Sequence, residues 1–270
     1  MSESSESEAI AKTPSPRTLE TLKNDFRQLG LQPGMTVIVH SSLSSLGWVC
    51  GGSVTVIQAL MDVITPNGTL VMPTHSGEYS DPATWGNPPV PSDWWSIIRE
   101  NMPAFDPQVT PTSGMGKIVE TFRSYPKVLR SYHPEVSFAA WGKHAETIIK
   151  NHSLDYSLGE SSPLARLYEL DSWVLLLGVS YDSCTCFHLA EYRIPQKQEI
   201  QRGAAILEGD RRVWKSYQDI EFDVDCFEQI GTAFEQTQAV KISAVGSAEA
   251  RFFPVKLAVD FAVDWLTNNK

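Results

Sequence analysis

The sequence has no long apolar run, few cysteines and few basic residues for a chain of 270 residues. No stretch approaches the roughly 18 uninterrupted apolar residues that a membrane helix needs, and the start lacks the basic-then-apolar order of a secretion signal. Four cysteines are too few to form a disulfide scaffold in a chain of this length. We therefore expect a cytoplasmic protein with reduced thiols and without a membrane partner.

Basic residues are outnumbered by acidic ones. The chain has 22 Lys and Arg against 32 Asp and Glu, so its formal net charge is −10 at pH 7. A nucleic-acid partner needs a basic face for its phosphates, and this composition argues against one. An acidic surface favours cationic small molecules, although simple solubility explains the charge equally well.

Composition divides the chain into a short tail and one domain. Residues 1–16 are rich in Ser, Glu, Pro and Ala and have almost no apolar side chains, which predicts a disordered N-terminal tail. Hydrophobic residues make up 42% of the chain, which is enough to bury a large core. We expect residues 17–270 to form a single domain, and the sequence leaves its oligomeric state open.

The first part of the domain alternates helix and strand patterns. Apolar residues recur at helical spacing over residues 19–29 and stop at Gly30, and residues 57–64 repeat that spacing. Short β-branched or apolar runs at residues 35–40 and 69–72 predict buried strands. This order predicts a βαβ unit, and so an α/β fold with a largely parallel central sheet flanked by helices.

Residues 76–111 interrupt this alternation. The segment is rich in Pro, Asp and Trp and shows little periodicity, which predicts an irregular aromatic and proline-rich insertion with short helical pieces. Loops of this length are usually lids or binding walls, although the aromatics could instead pin the loop to the body. Beyond it, Ser162-Pro163 predicts a helix start, and residues 173–179 have the pattern of an apolar strand.

Two segments combine small hydroxyl residues with glycines ahead of a predicted helix. The first is Ser41–Gly47 with Gly51-Gly52, and the second is Thr110–Lys117. Backbone N–H groups exposed in such segments suit a phosphate or an amide-bearing arm such as pantetheine. An ordinary strand-to-helix connection explains the first equally well, and a helix cap made by Thr112 or Ser113 explains the second. Neither the dinucleotide-binding glycine fingerprint nor a Walker lysine pattern is present.

The run Asp182–Glu191 follows the apolar strand directly. The carboxyl end of a parallel strand faces the crevice in which α/β proteins bind ligands. In a helix that starts near Ser183, His188 and Glu191 are three residues apart and share one face. Such a histidine suits a general base, and the carboxylate can orient its ring or hold a cationic substrate. A packed histidine beside an exposed glutamate is the alternative.

The same run permits a metal site. If the segment were a strand, Cys184, Cys186 and His188 would line one face, but this set lacks a fourth ligand and the usual zinc spacing. Buried free thiols are the ordinary explanation, and no metal is expected. A serine-hydrolase elbow is also disfavoured, since Asp182 ends the run Gly178–Asp182 where that motif needs a second glycine.

Three further histidines lie beside predicted strands. His133 precedes Pro134 next to an apolar strand pattern, so it is a candidate for a second base or for a hydrogen-bonding support. Support is favoured, because Pro134 stiffens a turn. His40 and His75 each come just after a strand and are weaker candidates for lining the same cleft.

Several segments occur together in one order along the chain. They are Val39–Leu43 with Gly51-Gly52, Thr110–Gly116 with Phe122-Arg123, His133-Pro134, Leu175–Glu191, Asp219–Phe227 and Val245-Gly246. In this combination the chain resembles the aminoglycoside 3-N-acetyltransferases, antibiotic acetyltransferases whose fold is separate from that of the GCN5-related enzymes. The resemblance runs from about Leu19 to the C-terminus.

The resemblance implies direct acetyl transfer from acetyl-coenzyme A to an amine in a ternary complex, without a metal. It implies His188 as the base and Glu191 as the group that orients it, with His133 as a further catalytic candidate and a backbone N–H as the oxyanion donor. The coenzyme is expected against Ser41, Ser42, Leu43, Thr112, Ser113, Met115 and Gly116. The cationic amine is expected beside Glu191, His75, Asp81, Asp182 and Asp223.

The predicted function is therefore acetylation of the 3-amino group of an aminoglycoside, with antibiotic resistance as the associated role. The chain departs from the family pattern at Cys184 and Cys186, where small polar residues are more familiar, and the insertion at 76–111 has no pattern to match. Two alternatives stay open. One is the same chemistry on another primary amine, such as a biosynthetic intermediate, and the other is a non-catalytic metal-binding or ligand-binding protein.

Overall fold

The computed structural model describes residues 3–269. Within this range nine strands form a seven-stranded sheet and a separate two-stranded sheet. The strands are β1 (Thr36–Ser41), β2 (Thr69–Pro73), β3 (Leu129–Arg130), β4 (Phe138–Gly142), β5 (Trp173–Leu177), β6 (Glu199–Glu208), β7 (Arg211–Ile220), β8 (Lys241–Val245) and β9 (Ala248–Pro254).

Ten α-helices lie in the same described range. They are α1 (Glu3–Lys12), α2 (Leu19–Leu29), α3 (Gly52–Ile64), α4 (Trp95–Asn101), α5 (Gly116–Arg123), α6 (Ala145–Ile149), α7 (Pro163–Glu169), α8 (Cys186–Arg193), α9 (Phe227–Glu235) and α10 (Val255–Asn269). No helix within residues 3–269 is both long enough and apolar enough to cross a bilayer.

The predicted βαβ unit is present. Strands β1 and β2 pair in parallel on either side of α3 in the sequence. Helix α2 ends where Gly30 adopts a left-handed conformation with φ of 117°, and Gly30 N–H donates to the carbonyl oxygens of Phe26 and Arg27. Helix α7 begins at the predicted cap, since Ser162 Oγ accepts hydrogen bonds from the N–H groups of Leu164 and Ala165.

The seven-stranded sheet has the order β3-β4-β2-β1-β5-β9-β8. Its parallel part is the central trio β2-β1-β5, whereas β3, β4, β8 and β9 pair antiparallel. The sheet is therefore mixed, and the predicted parallel arrangement holds for its centre. Antiparallel pairing of β8 with β9 follows from the tight turn at Gly246, because such a turn reverses the chain.

Alternate residues of the central strands face two separate apolar cores. On β5, Val174 and Leu176 pack into the core that includes α7, α8 and α10 residues. Their neighbours Leu175 and Leu177 pack into the core that includes α2, α3 and α5 residues. Successive side chains of a strand point to opposite faces, so helices cover both faces of the sheet, as the α/β prediction requires.

The insertion at 76–111 is irregular, with short 3₁₀ turns and α4 as its only α-helix. It packs against the β6–β7 hairpin. Phe105 N–H donates to the carbonyl oxygen of Ala205 at 2.9 Å, and Arg212 Nε donates to that of Met102 at 2.9 Å. These bonds tie the segment to the body of the protein, which matches the pinning alternative more closely than a lid.

The N-terminal segment differs from the predicted disordered tail, of which residues 1 and 2 lie outside the described residues. Residues 3–12 form helix α1, with Ala9 buried. Trp48 N–H donates to Thr13 Oγ1 at 2.8 Å, and Trp48 Nε1 donates to Glu6 Oε1 at 3.3 Å. The polar composition gave no sign of this helix, because its partner Trp48 is distant in the sequence.

Candidate active site

Three histidines meet at the carboxyl ends of the three parallel strands. His40 is in the last part of β1, His75 follows β2, and His188 is on α8 after β5. Together they line a cavity of about 350 Å³, here named the histidine cavity, whose wall also includes Ser41 and Met115. Neighbouring parallel strands bring their carboxyl ends to the same edge of the sheet, which is where α/β proteins bind ligands.

His188 and Glu191 are hydrogen-bonded across one turn of α8. The distance from His188 Nδ1 to Glu191 Oε2 is 2.6 Å, and both side chains are buried. The second carboxylate oxygen, Oε1, accepts the backbone N–H of Asp223 at 2.9 Å. The rings of Phe222 and Phe227 pack at centroid distances of 4.6 and 4.9 Å from the imidazole of His188.

This hydrogen bond decides the tautomer of His188. A carboxylate can only accept, so Nδ1 of His188 carries the hydrogen and Nε2 of the neutral ring keeps its lone pair. An imidazole held in this way by a carboxylate is arranged to accept a proton at Nε2. The predicted pairing of His188 and Glu191 is therefore present in a form that permits general-base catalysis.

His40 and His75 are held neutral. Burial, with the nearby imidazole of His188 as the second cause, lowers the pKa of His40 to about 3. Burial also lowers the pKa of His75 to about 3, with His188 and His40 as the next causes. Among the described residues, the Nε2 atoms of His40 and His75 and the Oγ atom of Ser41 are buried without a hydrogen-bond partner. Buried polar atoms are normally paired, so these three indicate a ligand in the histidine cavity.

A second cavity of about 340 Å³ continues from the first. Two segments line it, Ser41–Ser44 and Gly114–Lys117, and we name it the loop groove. It shares Ser41, Gly114 and Met115 with the histidine cavity. Five of the seven residues predicted for the coenzyme lie here, and they are Ser41, Ser42, Leu43, Met115 and Gly116.

The other two predicted coenzyme residues have different partners. Thr112 donates from both its N–H and its Oγ1 to Glu120 Oε2. Ser113 Oγ donates to Glu78 Oε1. Neither residue lines the loop groove. The backbone of Ser113 still links the segment to the site, since its N–H donates to the carbonyl oxygen of His75 at 2.8 Å.

A third cavity, of about 520 Å³, lies on the other side of Glu191. Besides Glu191, its charged residues are Lys197, Glu221, Asp223 and Asp225, and we name it the acidic cavity. Four carboxylates against one ammonium favour a cationic ligand. Asp223, predicted for the substrate, is therefore in this cavity.

The remaining residues predicted for the amine separate into two groups. His75 and Asp182 line the histidine cavity. Asp81 lies outside all three cavities, because its carboxylate forms an ion pair with Arg99 within the insertion at a distance of 2.7 Å. The role of Asp81 as a substrate ligand stays a prediction, and this carboxylate already has Arg99 as a partner.

His133 is hydrogen-bonded to the backbone through both of its ring nitrogens. Its Nδ1 accepts the backbone N–H groups of Glu135 and Val136 at 3.2 and 3.0 Å, and its Nε2 donates to the carbonyl oxygen of Leu154 at 3.4 Å. Both nitrogens are thus occupied in a fully buried side chain, and burial lowers its pKa well below the ordinary value. These contacts fit the alternative of a hydrogen-bonding support, and a role of His133 as a second base stays a prediction.

The cysteines beside His188 do not form the strand-like set that a metal site would need. The chain is helical from Cys186 onward, so Cys184, Cys186 and His188 do not alternate on one face. The two sulfur atoms are 3.3 Å apart and both side chains are fully buried. His188 directs Nδ1 to Glu191 instead. Within residues 3–269, no cluster of three or more potential metal ligands is present.

Several residues of the site were missed by the sequence analysis. Lys117, Lys197, Glu221 and Asp225 line the loop groove or the acidic cavity. The alternating acids of residues 221–225 were a usable signal, because three carboxylates at every second position concentrate negative charge directly after β7. The lysines carried no comparable pattern.

Arg130 was also missed, and it gave no signal at all. Its buried guanidinium donates to the carbonyl oxygens of Thr74 and Thr110 and to Ser76 Oγ. Thr74 and Ser76 flank His75, whereas Thr110 begins the segment that leads to the loop groove. Arg130 therefore holds the two walls of the site together through neutral oxygens.

Comparison with known proteins identifies the family. The family model described as aminoglycoside 3-N-acetyltransferase matches residues 38–267. The chain belongs to this family. The resemblance stated from its sequence segments is confirmed, and so is the predicted enzyme class, an N-acetyltransferase.

Individual members of the aminoglycoside 3-N-acetyltransferase family are similar over nearly the whole chain. The SPbeta prophage-derived aminoglycoside N(3')-acetyltransferase-like protein YokD of Bacillus subtilis (strain 168) is 56% identical over 261 residues, which cover 96% of each protein. The structure of AAC-IIIb in a binary complex with CoASH has a TM-score of 0.85 and 30% identity, with coverage of 94% of this chain and 97% of that chain. The structure of AAC-VIa bound to sisomicin has a TM-score of 0.85 and 28% identity, with coverage of 94% and 98%. These likenesses confirm the fold class.

Proposed function

We propose that this enzyme transfers the acetyl group of acetyl-coenzyme A to the 3-amino group of an aminoglycoside, with His188 as the general base. The observation that carries the proposal is the position of the His188–Glu191 pair. His188 lines the histidine cavity and Glu191 lines the acidic cavity. The pair therefore lies where a donor in one space and an acceptor in the other would meet.

The loop groove suits acetyl-coenzyme A. Gly114 and Gly116 have φ values of 72° and 82° and open space where a side chain would be, so the backbone can approach an extended pantetheine arm closely. Lys117 at one end offers a positive charge to a phosphate. At the other end the groove opens into the histidine cavity, which would bring the thioester to His188. The CoASH-bound structure of AAC-IIIb supports this donor.

The acidic cavity suits a polycationic acceptor. An aminoglycoside carries several ammonium groups, and carboxylates of Glu191, Glu221, Asp223 and Asp225 surround this space. Attraction between opposite charges would concentrate such a substrate and orient one amine toward Glu191 and His188. The sisomicin-bound structure of AAC-VIa supports an acceptor of this class.

The proton of the amine has a defined path to His188. The neutral amine attacks the carbonyl carbon of the thioester, the C–N bond forms, and Nε2 of His188 takes the proton that the nitrogen must lose. The carboxylate of Glu191 stabilises the imidazolium that results, through the hydrogen bond at Nδ1. When the C–S bond breaks, the departing thiolate of coenzyme A takes this proton from Nε2 of His188. The products are the amide and free coenzyme A.

The test is acetylation of an aminoglycoside panel, followed by release of free thiol and by the product mass. The wild-type enzyme is expected to form a monoacetylated product, and NMR of that product is expected to show the 3-amino group as the site. The His188→Ala variant should lose about 10²–10⁴-fold in kcat, the usual contribution of a general base. His144→Ala is the matched control, since His144 lies at the start of α6 and lines none of the three cavities. A His188→Ala variant as active as this control would contradict the assignment of the base.

A second candidate is the same reaction on a different primary amine. Lys197 favours it, because an ammonium group in the acidic cavity would bind an acidic group that aminoglycosides lack. The lysine is partly engaged, as its Nζ donates to the carbonyl oxygen of Tyr192 at 3.1 Å. Amines with a carboxylate or phosphate group should then be better substrates than aminoglycosides, and Lys197→Ala should remove that preference. Faster turnover of aminoglycosides by the wild type would exclude this candidate.

A further inference from the structure

We propose that His40 and His75 are catalytic residues, which donate hydrogen bonds from Nε2–H to the carbonyl oxygen of the acetyl group as it becomes an oxyanion. This inference rests on the proposed acetyl transfer and names a further part of the same site. It assigns the oxyanion donors to two side chains rather than to a backbone N–H.

Placement of the two imidazoles is the first support. His40 and His75 line the same cavity as His188. His40 is on β1, which is next to β5 in the sheet, and His75 follows β2, which is next to β1. His40 is held by the parallel pairing of β1 with β5, in which it lies opposite Leu176. The backbone of His75 accepts the N–H of Ser113 at 2.8 Å, and its ring packs edge-on against Phe138 at 5.6 Å. The backbone at His40 is therefore held by the sheet, and the ring of His75 is packed in place.

The second support is the state of their nitrogen atoms. Nε2 of each ring is buried and has no partner within residues 3–269. His40 is only 7% exposed, so little of this residue is open to water. Two unpartnered polar atoms in one catalytic cavity indicate that the substrate provides their partner. The reacting carbonyl oxygen is the acceptor that must lie close to His188.

The chemistry of the reaction needs such donors. When the amine nitrogen bonds to the carbonyl carbon, the π electrons of the C=O bond move to oxygen, which becomes negatively charged. Donors aimed at this oxygen in a site sheltered from water stabilise the transition state more than the substrate. The intermediate collapses when the C=O bond re-forms and the C–S bond breaks. The imidazoles only donate hydrogen bonds and transfer no proton, so the balance of the reaction is unchanged.

Neutral rings are better suited to this task than charged ones. His188 becomes an imidazolium during the reaction, and positive neighbours would oppose that change. His40 and His75 stay neutral because burial lowers the pKa of each to about 3. A neutral ring with its hydrogen on Nε2 is still a donor. His188 thus acts as the base, and His40 and His75 act as the hydrogen-bond donors.

The kinetic test uses His40→Ala, His75→Ala and the corresponding glutamine variants, since the glutamine amide N–H can reach a position similar to that of Nε2–H. Each alanine variant should lower kcat about 10²–10³-fold, as does removal of one oxyanion donor, whereas the KM for the aminoglycoside and the Kd for coenzyme A should change less than about 2-fold. Glutamine should restore part of kcat.

Two kinetic outcomes would overturn the proposal. If the alanine variants keep the wild-type kcat, the two imidazoles do not stabilise the oxyanion. Backbone N–H groups near Met115, which lines the same cavity, would then be the donors. A fall in kcat accompanied by an equal loss of coenzyme A affinity, with no recovery in glutamine, would mean that the rings only shape the cavity. Circular dichroism and thermal unfolding of each variant verify that it is folded.

A second measurement does not depend on turnover. The chain has six histidines, and ¹⁵N-histidine NMR of the wild type at pH 7 reports which ring nitrogen carries the hydrogen, with the glutamine variants assigning the signals of His40 and His75. Nε2–H is expected for both. Hydrogen on Nδ1 in either ring would overturn its role as donor. If no aminoglycoside is acetylated, the proposed acceptor fails, but slow hydrolysis of acetyl-coenzyme A by the wild type and the alanine variants still tests the donors.

Discussion

Glu191 and His188 are linked by a hydrogen bond of 2.6 Å between Oε2 and Nδ1, and this bond joins two cavities. The carboxylate belongs to the acidic cavity, and the imidazole belongs to the histidine cavity. Through Oε1, the same carboxylate also accepts the backbone N–H of Asp223 at 2.9 Å. The orientation of the base is therefore coupled to the wall of the proposed acceptor site.

The first prediction concerns this bond. Glu191→Gln keeps the size of the side chain, but its amide can donate to Nδ1 and so favour the tautomer with hydrogen on Nε2, which cannot act as a base. We expect kcat to fall about 10-fold or more with little change in the Kd for coenzyme A, measured by steady-state kinetics and calorimetry. Glu146→Gln is the control, as Glu146 is an exposed acid of α6. Equal kcat in the two variants would contradict the orienting role.

The second prediction concerns the acidic cavity. Glu221→Gln and Asp225→Asn each remove one negative charge from its wall and should raise the KM for a polycationic aminoglycoside several-fold at low ionic strength, since attraction between charges is screened by salt. The KM for acetyl-coenzyme A should not change. Asp264→Asn, an exposed acid on α10, is the matched control. If all three variants shift KM equally, only net charge matters and the cavity has no special role.

The third prediction concerns pH and stability. Burial lowers the pKa of both His40 and His75 to about 3 and that of His152 to about 4, against an ordinary value near 6.5 in the unfolded chain. Above pH 6.5 the histidines are neutral in both states. As the pH falls from about 6.5 toward 4, the unfolded chain binds protons that the folded protein does not, so the free energy of unfolding falls.

Urea unfolding at pH 7.5 and 5.5 measures this effect. Each of these three histidines should lower the free energy of unfolding by ~1 kcal/mol between pH 7.5 and pH 5.5. In the double variant His40→Gln, His75→Gln, the free energy of unfolding should fall by ~2 kcal/mol less than in the wild type over the same pH interval. The same pH dependence in both proteins would show that His40 and His75 are not held neutral.

The fourth prediction concerns Arg130. Burial lowers its pKa to about 10, which leaves the guanidinium charged at neutral pH. Arg130→Met would leave the oxygens of Thr74, Thr110 and Ser76 without their donor, at a cost of ~3 kcal/mol in the free energy of unfolding. Coenzyme A should also bind more weakly, because Thr110 begins the segment that leads to the loop groove.

Chemical denaturation and calorimetry check both effects of Arg130. Arg130→Lys should recover only part of the loss, since one ammonium cannot replace the planar set of donors. Arg27→Met, at an exposed position of α2, serves as the control. An Arg130→Met variant as stable as this control would contradict the role of Arg130 in joining the two walls.

The fifth prediction concerns the thiols. Cys50 is exposed, whereas Cys184 and Cys186 are fully buried, and burial raises the pKa of Cys184 well above its ordinary value. A thiol reagent should therefore modify Cys50 quickly in the native protein and reach the buried pair only after denaturation. Cys50→Ser should remove the fast phase. Rapid modification of Cys184 or Cys186 in the folded state would contradict their burial.

The sequence by itself determined the elements that depend on neighbouring residues. Helical spacing over residues 19–29 and the conformational freedom of Gly30 fixed α2, and short apolar runs fixed β1 and β2. The pairing of His188 with Glu191 also followed from local geometry, because residues three apart share a face of a helix. The small residues Ser41 and Gly116 were also a usable signal, because each belongs to a segment that lines the loop groove.

Only the tertiary structure decided which distant residues meet. His40, His75 and His188 come together because β2, β1 and β5 are neighbours in the sheet, and no local pattern contains that order. The sequence also did not show which polar side chains have partners within the fold. Asp81 forms an ion pair with Arg99, and Thr112 donates a hydrogen bond to Glu120. Such pairings depend on folded distances between side chains, whereas periodicity reports only which face of its own element a residue occupies.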